Sequence, residues 1–471
     1  MKNLNRREFL NLAAGAAATI LPLAKCGSGF AGSKNRAERP NIIFIMADDM
    51  GYGDLGCYGQ KHIKTPNIDR LAEQGTRFTD CYAGSTVCAP SRSVLMTGRH
   101  TGHTRVRNNM GKVGGTLVTD NGSPQRRVPL EPQDVTVAEM LKQAGYVTGM
   151  TGKWGLGEPG TTGVPNRQGF DEWFGYLNQR RAHTYYPPYL WRNEEKQVLE
   201  GNANGGRQQY THDMFTDFAL DFLRRHKTEP FFLYLPYTVP HARYEIPSTE
   251  PYTDRSWSAD AKVHAAMITR LDGDVGRIMA LLKELRIDER TLVFFCSDNG
   301  AANRWEGVFD SSGPLRGRKG TMYEGGLRTP MIARWPGKVP AARTCHAPWY
   351  FADVLPTFAE LTGSAPPANI DGISIMPALL GRRQKTGERF MYWEFPAGKF
   401  QQAVRWRNYK AVRLGPGKPL ELYDLAEDVA EENDISAEQP GIAAEIEEYL
   451  KTARTESPNW PVSALSRMNR L

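Results

Sequence analysis

The sequence predicts an α/β fold: a mixed, mostly parallel sheet sandwiched by helices, with a small C-terminal antiparallel α+β subdomain. Three observations lead to it. Continuous apolar runs, the mark of strands buried on both faces, alternate with stretches of helical spacing between residues 41 and 297. The runs end in polar, chemistry-bearing residues, and the carboxyl ends of strands are where open α/β sheets carry their sites. From about residue 388 the texture changes to short, aromatic-rich runs.

Taken in order, residues 41–46 form the first buried strand, which ends in Ala47-Asp48-Asp49. Thr65-Pro66-Asn67 opens a helix with a cap residue and a first-turn proline, and Gly75 closes it before a strand-like stretch at 77–83. The next helix starts near Pro90. Residues 137–144 read as a helix and 146–151 as a strand, with Gly152-Lys153-Trp154 at its end. The Gly/Pro-rich stretch 152–165 reads as an active-site loop. Met214, Phe215, Phe218, Ala219, Phe222 and Leu223 recur at helical spacing, then Pro230 introduces a strand at 231–235 with His241 just beyond it. A helix over 263–285 leads to the buried strand Thr291–Ser297, which runs directly into Asp298-Asn299-Gly300. Short strands follow at Phe390–Phe395, 403–406, 409–414 and 420–425, with a helix near 442–452. The expected boundaries are a signal segment at 1–32, a catalytic body at 33–387 and a C-terminal subdomain at 388–471.

The 471 residues are 40% hydrophobic and 24% charged, which excludes a disordered polymer, a small disulfide scaffold and a polytopic membrane protein. Arg6-Arg7-Glu8-Phe9-Leu10 leads into an apolar run and then small residues at 31–33. This reads as an export signal, twin-arginine or ordinary secretory, for a periplasmic or secreted protein with no transmembrane span after processing. Lys25 argues against lipoprotein anchoring at Cys26, because such sites want a small residue there. Lys2, Arg6, Arg7, Lys25 and Glu8 account for +3 of the formal +7. The remaining charge is spread along the chain, so no nucleic-acid partner is expected and anionic substrates fit. Six cysteines are few for an exported chain of this size, so disulfides are not its main source of stability.

The sharpest signal is Cys88-Ala89-Pro90-Ser91-Arg92, continuing to Thr97-Gly98-Arg99. Pro90 starts a helix whose positive amino end points at Cys88, and Arg92 beside it suits an anionic group. The pattern resembles the signature of the type I sulfatase family, C-x-P-S-R followed by T-G-R, and the resemblance extends from Pro40 to Leu422-Tyr423-Asp424-Leu425. It implies an alkaline-phosphatase-like fold and a sulfuric ester hydrolase. It also implies that Cys88 is oxidised to Cα-formylglycine, whose hydrate is the nucleophile, by a formylglycine-generating or anaerobic sulfatase-maturing enzyme.

Asp48, Asp49, Asp298 and Asn299 make an all-oxygen set from two strand ends, which selects a hard cation such as Ca²⁺ or Mg²⁺ over zinc. The resemblance implies Ca²⁺, with the hydrate of residue 88 also at the metal. Arg316-Gly317-Arg318-Lys319-Gly320, Tyr323-Glu324-Gly325-Gly326 and Arg328-Thr329-Pro330 resemble the family's G-x-K-G…E-G-G-x-R-x-P segment, which places Lys319 on the substrate sulfate. Lys153 matches the G-K-W motif. His241 matches the histidine that protonates the departing alcohol oxygen, and Arg92 is implied to hold residue 88.

One departure matters. The family reads G-K-W-H-L-G where this chain has Gly152-Lys153-Trp154-Gly155-Leu156-Gly157, so a histidine expected to help expel sulfate is absent. Gln179 and His183 are candidates for the vacant space, with His183 the working hypothesis because it lies in the next loop. Arg180, Arg181, Tyr185, Tyr186, Trp191 and Arg304 are candidates to line a groove for an anionic sugar, so a sulfated polysaccharide or oligosaccharide is the expected substrate. Two alternatives remain. Gly155 makes a non-catalytic sulfated-glycan binder conceivable, although Cys88 and Arg92 are retained. A phosphate or phosphonate monoester hydrolase could share the scaffold, but nine scattered histidines offer no zinc cluster for a two-metal phosphatase.

Overall fold

The computed structural model describes residues 39–111, 113–120, 123–386 and 388–462, so the expected signal segment at 1–32 and Cys26 lie outside it. Its strands in chain order are β1 (Asn41–Ala47), β2 (Thr76–Phe78), β3 (Cys81–Tyr82), β4 (Thr116–Asp120), β5 (Ser123–Arg127) and β6 (Val147–Lys153). There follow β7 (Glu172–Tyr176), β8 (Tyr189–Arg192), β9 (Glu195–Val198), β10 (Phe231–Pro236), β11 (Thr291–Ser297), β12 (Met331–Arg334), β13 (Arg343–Cys345) and β14 (Trp349–Tyr350). The last four are β15 (Phe390–Phe395), β16 (Gln401–Trp406), β17 (Tyr409–Arg413) and β18 (Glu421–Asp424). The helices are α1 (Pro66–Glu73), α2 (Cys88–Thr97), α3 (Val137–Gln143), α4 (Thr211–Arg225) and α5 (Ala259–Glu284), then α6 (Glu324–Leu327), α7 (Val354–Thr362), α8 (Met376–Leu379) and α9 (Pro440–Leu450).

One sheet runs β13-β2-β12-β11-β1-β10-β6-β7-β8-β9. Its five central strands, β11 to β7, are parallel, and antiparallel pairs flank them. Strand alternation divides β1 between two cores. Ile42, Phe44 and Met46 pack with Val94 and Leu95 of α2, Leu141 of α3 and Phe358 of α7. Ile43, Ile45 and Ala47 pack with Ile68 of α1, Phe215 of α4 and Ile268 of α5 on the other face. Burying each large apolar side chain stabilises the fold by about 1.5–3 kcal/mol, so a strand covered on both sides needs an unbroken apolar run.

Two expectations change in detail. The stretch 77–83 is two short strands, β2 and β3, because the chain leaves the main sheet after Phe78 to pair with β14. Helix α2 begins at Cys88 itself, with Pro90 third in the first turn, where its missing N–H is not needed. Further along, α3 starts at a capping box, Thr136 accepting from Glu139 N and donating its own N–H to Glu139.

Strands β15 to β18 form the small antiparallel sheet, with Tyr392, Val404 and Leu422 packed on Ile446 and Leu450 of α9. Its other face joins the central core through Trp393, whose Nε1 donates to the Ala83 carbonyl at 2.8 Å. Lys410 of β17 is fully buried and donates to Glu324 at 2.9 Å, tying this sheet to the segment after Lys319. Cys57, Cys81, Cys88, Cys296 and Cys345 are free thiols. Among the described residues no helix is long and apolar enough to cross a membrane.

Candidate active site

Six chain segments bring polar residues to one end of the parallel sheet. Asp48 and Asp49 follow β1, Asp298 and Asn299 follow β11, Lys153 is the last residue of β6, His241 lies in the loop after β10, Cys88 opens α2, and Lys319 comes from the loop between β11 and α6. Neighbours on an extended strand point to opposite faces, yet both aspartates reach Cys88. Asp49 turns into the left-handed region at φ 67, which aspartate tolerates better than most residues. The Cys88 thiol donates to Asp48 Oδ1 at 3.3 Å and lies 4.0 Å from Asp49 Oδ1. On the β11 side, a Cβ at Gly300 would lie 1.8 Å from the Gly325 carbonyl oxygen, so only glycine lets this turn press against the Glu324-Gly325-Gly326 segment.

Charge is paired throughout the site. Lys153 Nζ donates to Asp48 at 2.6 Å, and Lys319 Nζ donates to Asp49 at 2.8 Å and to Cys88 Sγ at 3.4 Å. Arg92 grips Asp298 through Nε and Nη2 at 3.1 and 2.7 Å and donates from Nη1 to the Lys153 carbonyl. Its guanidinium thus ties α2 to Asp298 and the β6 terminus. His241 Nε2 lies 3.3 Å from both Lys319 Nζ and Asp49. Burial would raise the Asp48 carboxyl, but Lys153, His241, Arg92 and Lys319 outweigh it and hold it well below the usual range. Burial and the neighbouring Asp48 push Asp298 up to about 6 against Arg92 and Lys153. Burial, with Asp298 and Asp48, pushes the Cys88 thiol up to about 12, so the unmodified side chain is a neutral thiol and a poor nucleophile.

Carboxylate oxygens of Asp48, Asp49 and Asp298 converge with Asn299, whose Nδ2 donates to Asp49 at 2.8 Å. The Asn299 Oδ1 is buried and has no hydrogen-bond partner. Three carboxylates and a buried amide whose oxygen is left without a partner make a donor set suited to a hard divalent cation.

At the departure from the expected motif, Gly155 adopts φ 79, and a Cβ there would lie 2.3 Å from Gln179 Oε1. Gln179 is buried and fills the space a side chain at 155 would enter, with neither amide atom hydrogen-bonded. His183 stacks on His241 at 3.8 Å between centroids and 20°, and its Nε2 is buried without a partner. Burial, followed by the charges of His241 and Lys153, drives His183 strongly toward its neutral form.

Among the groove candidates, Trp191 meets the Tyr189 ring at 6.3 Å, and Tyr185 and Tyr186 both pack on Tyr210. Arg181 lies 4.8 Å over the Tyr189 ring. Arg304 lines a cavity of about 410 Å³ with Leu315, Arg316, Glu431 and Glu432. Tyr185 is fully buried and donates to the Thr238 and His241 carbonyls at 2.7 and 2.8 Å, so it positions the His241 loop and is no groove wall. Sequence reading missed Asn109, whose side chain accepts from Ala89 N at 2.8 Å and so completes the α2 amino end beside Cys88. It also missed Ser297, which accepts from Met50 N and donates to the Asn299 carbonyl. Neither sits in a local pattern that marks it.

Comparisons with known proteins bear on the family and the fold. The family model described as Sulfatase matches residues 40–364, and one described as N-sulphoglucosamine sulphohydrolase, C-terminal, matches residues 318–456. The chain is 36% identical over 412 residues to N-acetylgalactosamine-6-sulfatase of Canis lupus familiaris, covering 83% of this chain and 74% of that protein. It is 35% identical over 465 residues to human arylsulfatase A, covering 88% and 87%. Among solved structures, Ps i-CgsB in complex with k-i-k-neocarrahexaose superposes with a TM-score of 0.78 at 29% identity, covering 92% of this chain and 98% of that one. Phosphonate monoester hydrolase of Agrobacterium radiobacter, at 21% identity and a TM-score of 0.63 over 88% and 95%, shares the fold.

Proposed function

The chain belongs to the sulfatase family, with its alkaline-phosphatase-like fold and sulfuric ester hydrolase activity, and on that premise we propose the finer assignment: an exported enzyme that removes sulfate from polysaccharides or oligosaccharides through formylglycine at residue 88 and a bound Ca²⁺. One observation carries this reading. Cys88 opens a helix at the point where two carboxylates and Lys319 converge on its sulfur, within 3.3–4.0 Å. The relatives that act on N-acetylgalactosamine 6-sulfate, or that bind a neocarrahexaose, support a glycan substrate. Arg6-Arg7 and the apolar run after it support export.

Asp48, Asp49, Asp298 and Asn299 would hold the Ca²⁺, which supplies positive charge against the sulfate oxygens. The formylglycine hydrate would supply two hydroxyls on one carbon, one to attack sulfur and the other to expel sulfate by breaking the C–O bond, so water need not attack sulfur. The chain's own residues do the rest. Lys153 and Lys319 neutralise the charge that repels a nucleophile from a sulfate ester. His241, whose Nε2 lies 3.3 Å from Lys319 Nζ, would protonate the departing alcohol oxygen. Arg92 fixes Asp298 and the end of β6. Gln179 is a neutral amide and cannot take a proton, so His183, stacked on His241, is the residue assigned to take the proton on sulfate release, a role that its burial opposes by weakening it as a base. Arg181 and Arg304 remain candidates for contacts farther along the substrate.

The deciding experiment is mass spectrometry of the tryptic peptide ending at Arg92, from protein made with a formylglycine-generating or anaerobic sulfatase-maturing enzyme. A loss of about 18 Da at Cys88 is expected, and an unmodified thiol in that host overturns the reading. For the metal, Ca²⁺ at about a hundred times its Kd is expected to stabilise chelator-treated protein by about 2.7 kcal/mol in a denaturation midpoint. Zn²⁺ giving the larger shift would reject the oxygen-site assignment. Replacing His183→Ala is expected to lower kcat about 100-fold with little change in KM. Unchanged kcat would reduce His183 to a stacking partner of His241.

A further inference from the structure

The rings of Tyr244 and Trp305 meet beside the site but take no part in its charge network. Tyr244 lies three residues beyond His241 and Trp305 six beyond Asn299, so each belongs to a loop that also carries a site residue. Their centroids are 5.5 Å apart at 56°. His264 closes the corner from behind, 5.9 Å from Tyr244 and 5.2 Å from Trp305, and Phe309 stacks on His264 in turn. His264 and Phe309 are buried, whereas Tyr244 and Trp305 are half-buried, so two aromatic rings are left partly open over a floor of His264 and Phe309. The Tyr244 phenol is pushed up to about 12 by burial and by the Asp49, Asp260 and Asp54 carboxylates, with Lys319 opposing.

Trp305 is held in this corner at a cost. Its backbone adopts φ 51, a left-handed conformation that bulky residues rarely take, and its indole N–H is buried without an acceptor. The loop enforces this: the Trp305 carbonyl accepts from Val308 N and Phe309 N, Ser311 N donates to the Arg304 carbonyl, and Lys319 N donates to the Ala301 carbonyl. Strain of this kind persists where the surrounding structure overrides it and clusters at ligand-binding sites. Arg243 and Arg304, adjacent in sequence to Tyr244 and Trp305, add positive charge to the same two loops.

We propose that Tyr244 and Trp305 form the subsite for the sugar ring that carries the scissile sulfate. This rests on the glycan-sulfatase reading above. The sulfate is held by lysines, but the alcohol leaves past His241, and Tyr244 comes next on that loop. The C–H face of a pyranose is apolar and weakly electropositive, matching the electron-rich face of an aromatic ring. The two tilted rings, in contact with each other, offer one aromatic corner against which such a face packs, and so favour a cyclic alcohol over an acyclic one.

The test uses matured full-length protein, a panel of galactose, N-acetylgalactosamine and glucosamine monosulfates with carrageenan oligosaccharides, and 4-nitrophenyl sulfate as a non-sugar ester. Trp305→Leu and Tyr244→Leu are each expected to raise KM for the best saccharide about tenfold. The inhibition constant of inorganic sulfate, which reports the sulfate pocket alone, is expected to stay within about twofold, and Trp305→Phe is expected to recover most of the loss. An unchanged saccharide KM, or a sulfate inhibition constant that moves as far as KM, overturns the subsite. Hydrolysis of 4-nitrophenyl sulfate but of no saccharide also overturns it and leaves the sulfatase assignment standing. No hydrolysis of any ester overturns the assignment itself.

Discussion

Replacing Cys88→Ser is expected to stop turnover after one chemical event, lowering steady-state kcat by about 10⁴-fold or more. Serine would sit in the same place, at the start of α2 among Asp48, Asp49 and Lys319, so the fold and the sulfate pocket should survive. It has one hydroxyl. Once that oxygen has taken the sulfuryl group, no second hydroxyl on the same carbon can expel it, and the product is a stable sulfate ester. The intact mass should therefore rise by about 80 Da after incubation with substrate, whereas Cys88→Ala should lose activity without any gain. A serine variant that turns over at the wild-type rate would remove the need for the modified residue.

Arg92→Met is expected to destabilise the protein by about 3–5 kcal/mol and to abolish activity. The Arg92 side chain is 1% exposed and Asp298 is fully buried, with two hydrogen bonds between them at 3.1 and 2.7 Å. Methionine fills similar volume but leaves the carboxylate without its partner, and Asp298, already raised to about 6, would be driven further toward its neutral form. The Lys153 carbonyl would lose its donor as well. Urea denaturation should show a lower midpoint with the same slope, and a double variant with Asp298→Asn should recover part of the stability. An unfolding free energy within about 1 kcal/mol of wild type would show that the pair adds little to the fold.

Much of the architecture was legible because its signals are local. A strand buried on both faces must be apolar at every position, so β1 and β11 stand out as unbroken runs, and the residues after them fall at the site end of a parallel sheet. Cys88 and Arg92 lie one helical turn apart, and their relation to α2 follows from the first-turn proline. The split of 77–83 into β2 and β3 was not legible, since it depends on β14, more than 250 residues away.

The residue types of the site, their order along the chain and the missing histidine at Gly155 were determined by the sequence alone, because motif spacing and strand ends are properties of short segments. Tertiary structure decided how those residues meet. The left-handed turn at Asp49 aims both aspartates at Cys88, Gln179 fills the space over Gly155, and Tyr185 is buried beneath the His241 loop instead of lining a groove. Lys410 fixes the segment after Lys319 from 86 residues beyond Glu324. Each of these depends on which side chain occupies a volume shared by distant segments, and packing in a dense interior is settled by the assembled neighbours and not by any stretch of chain read by itself.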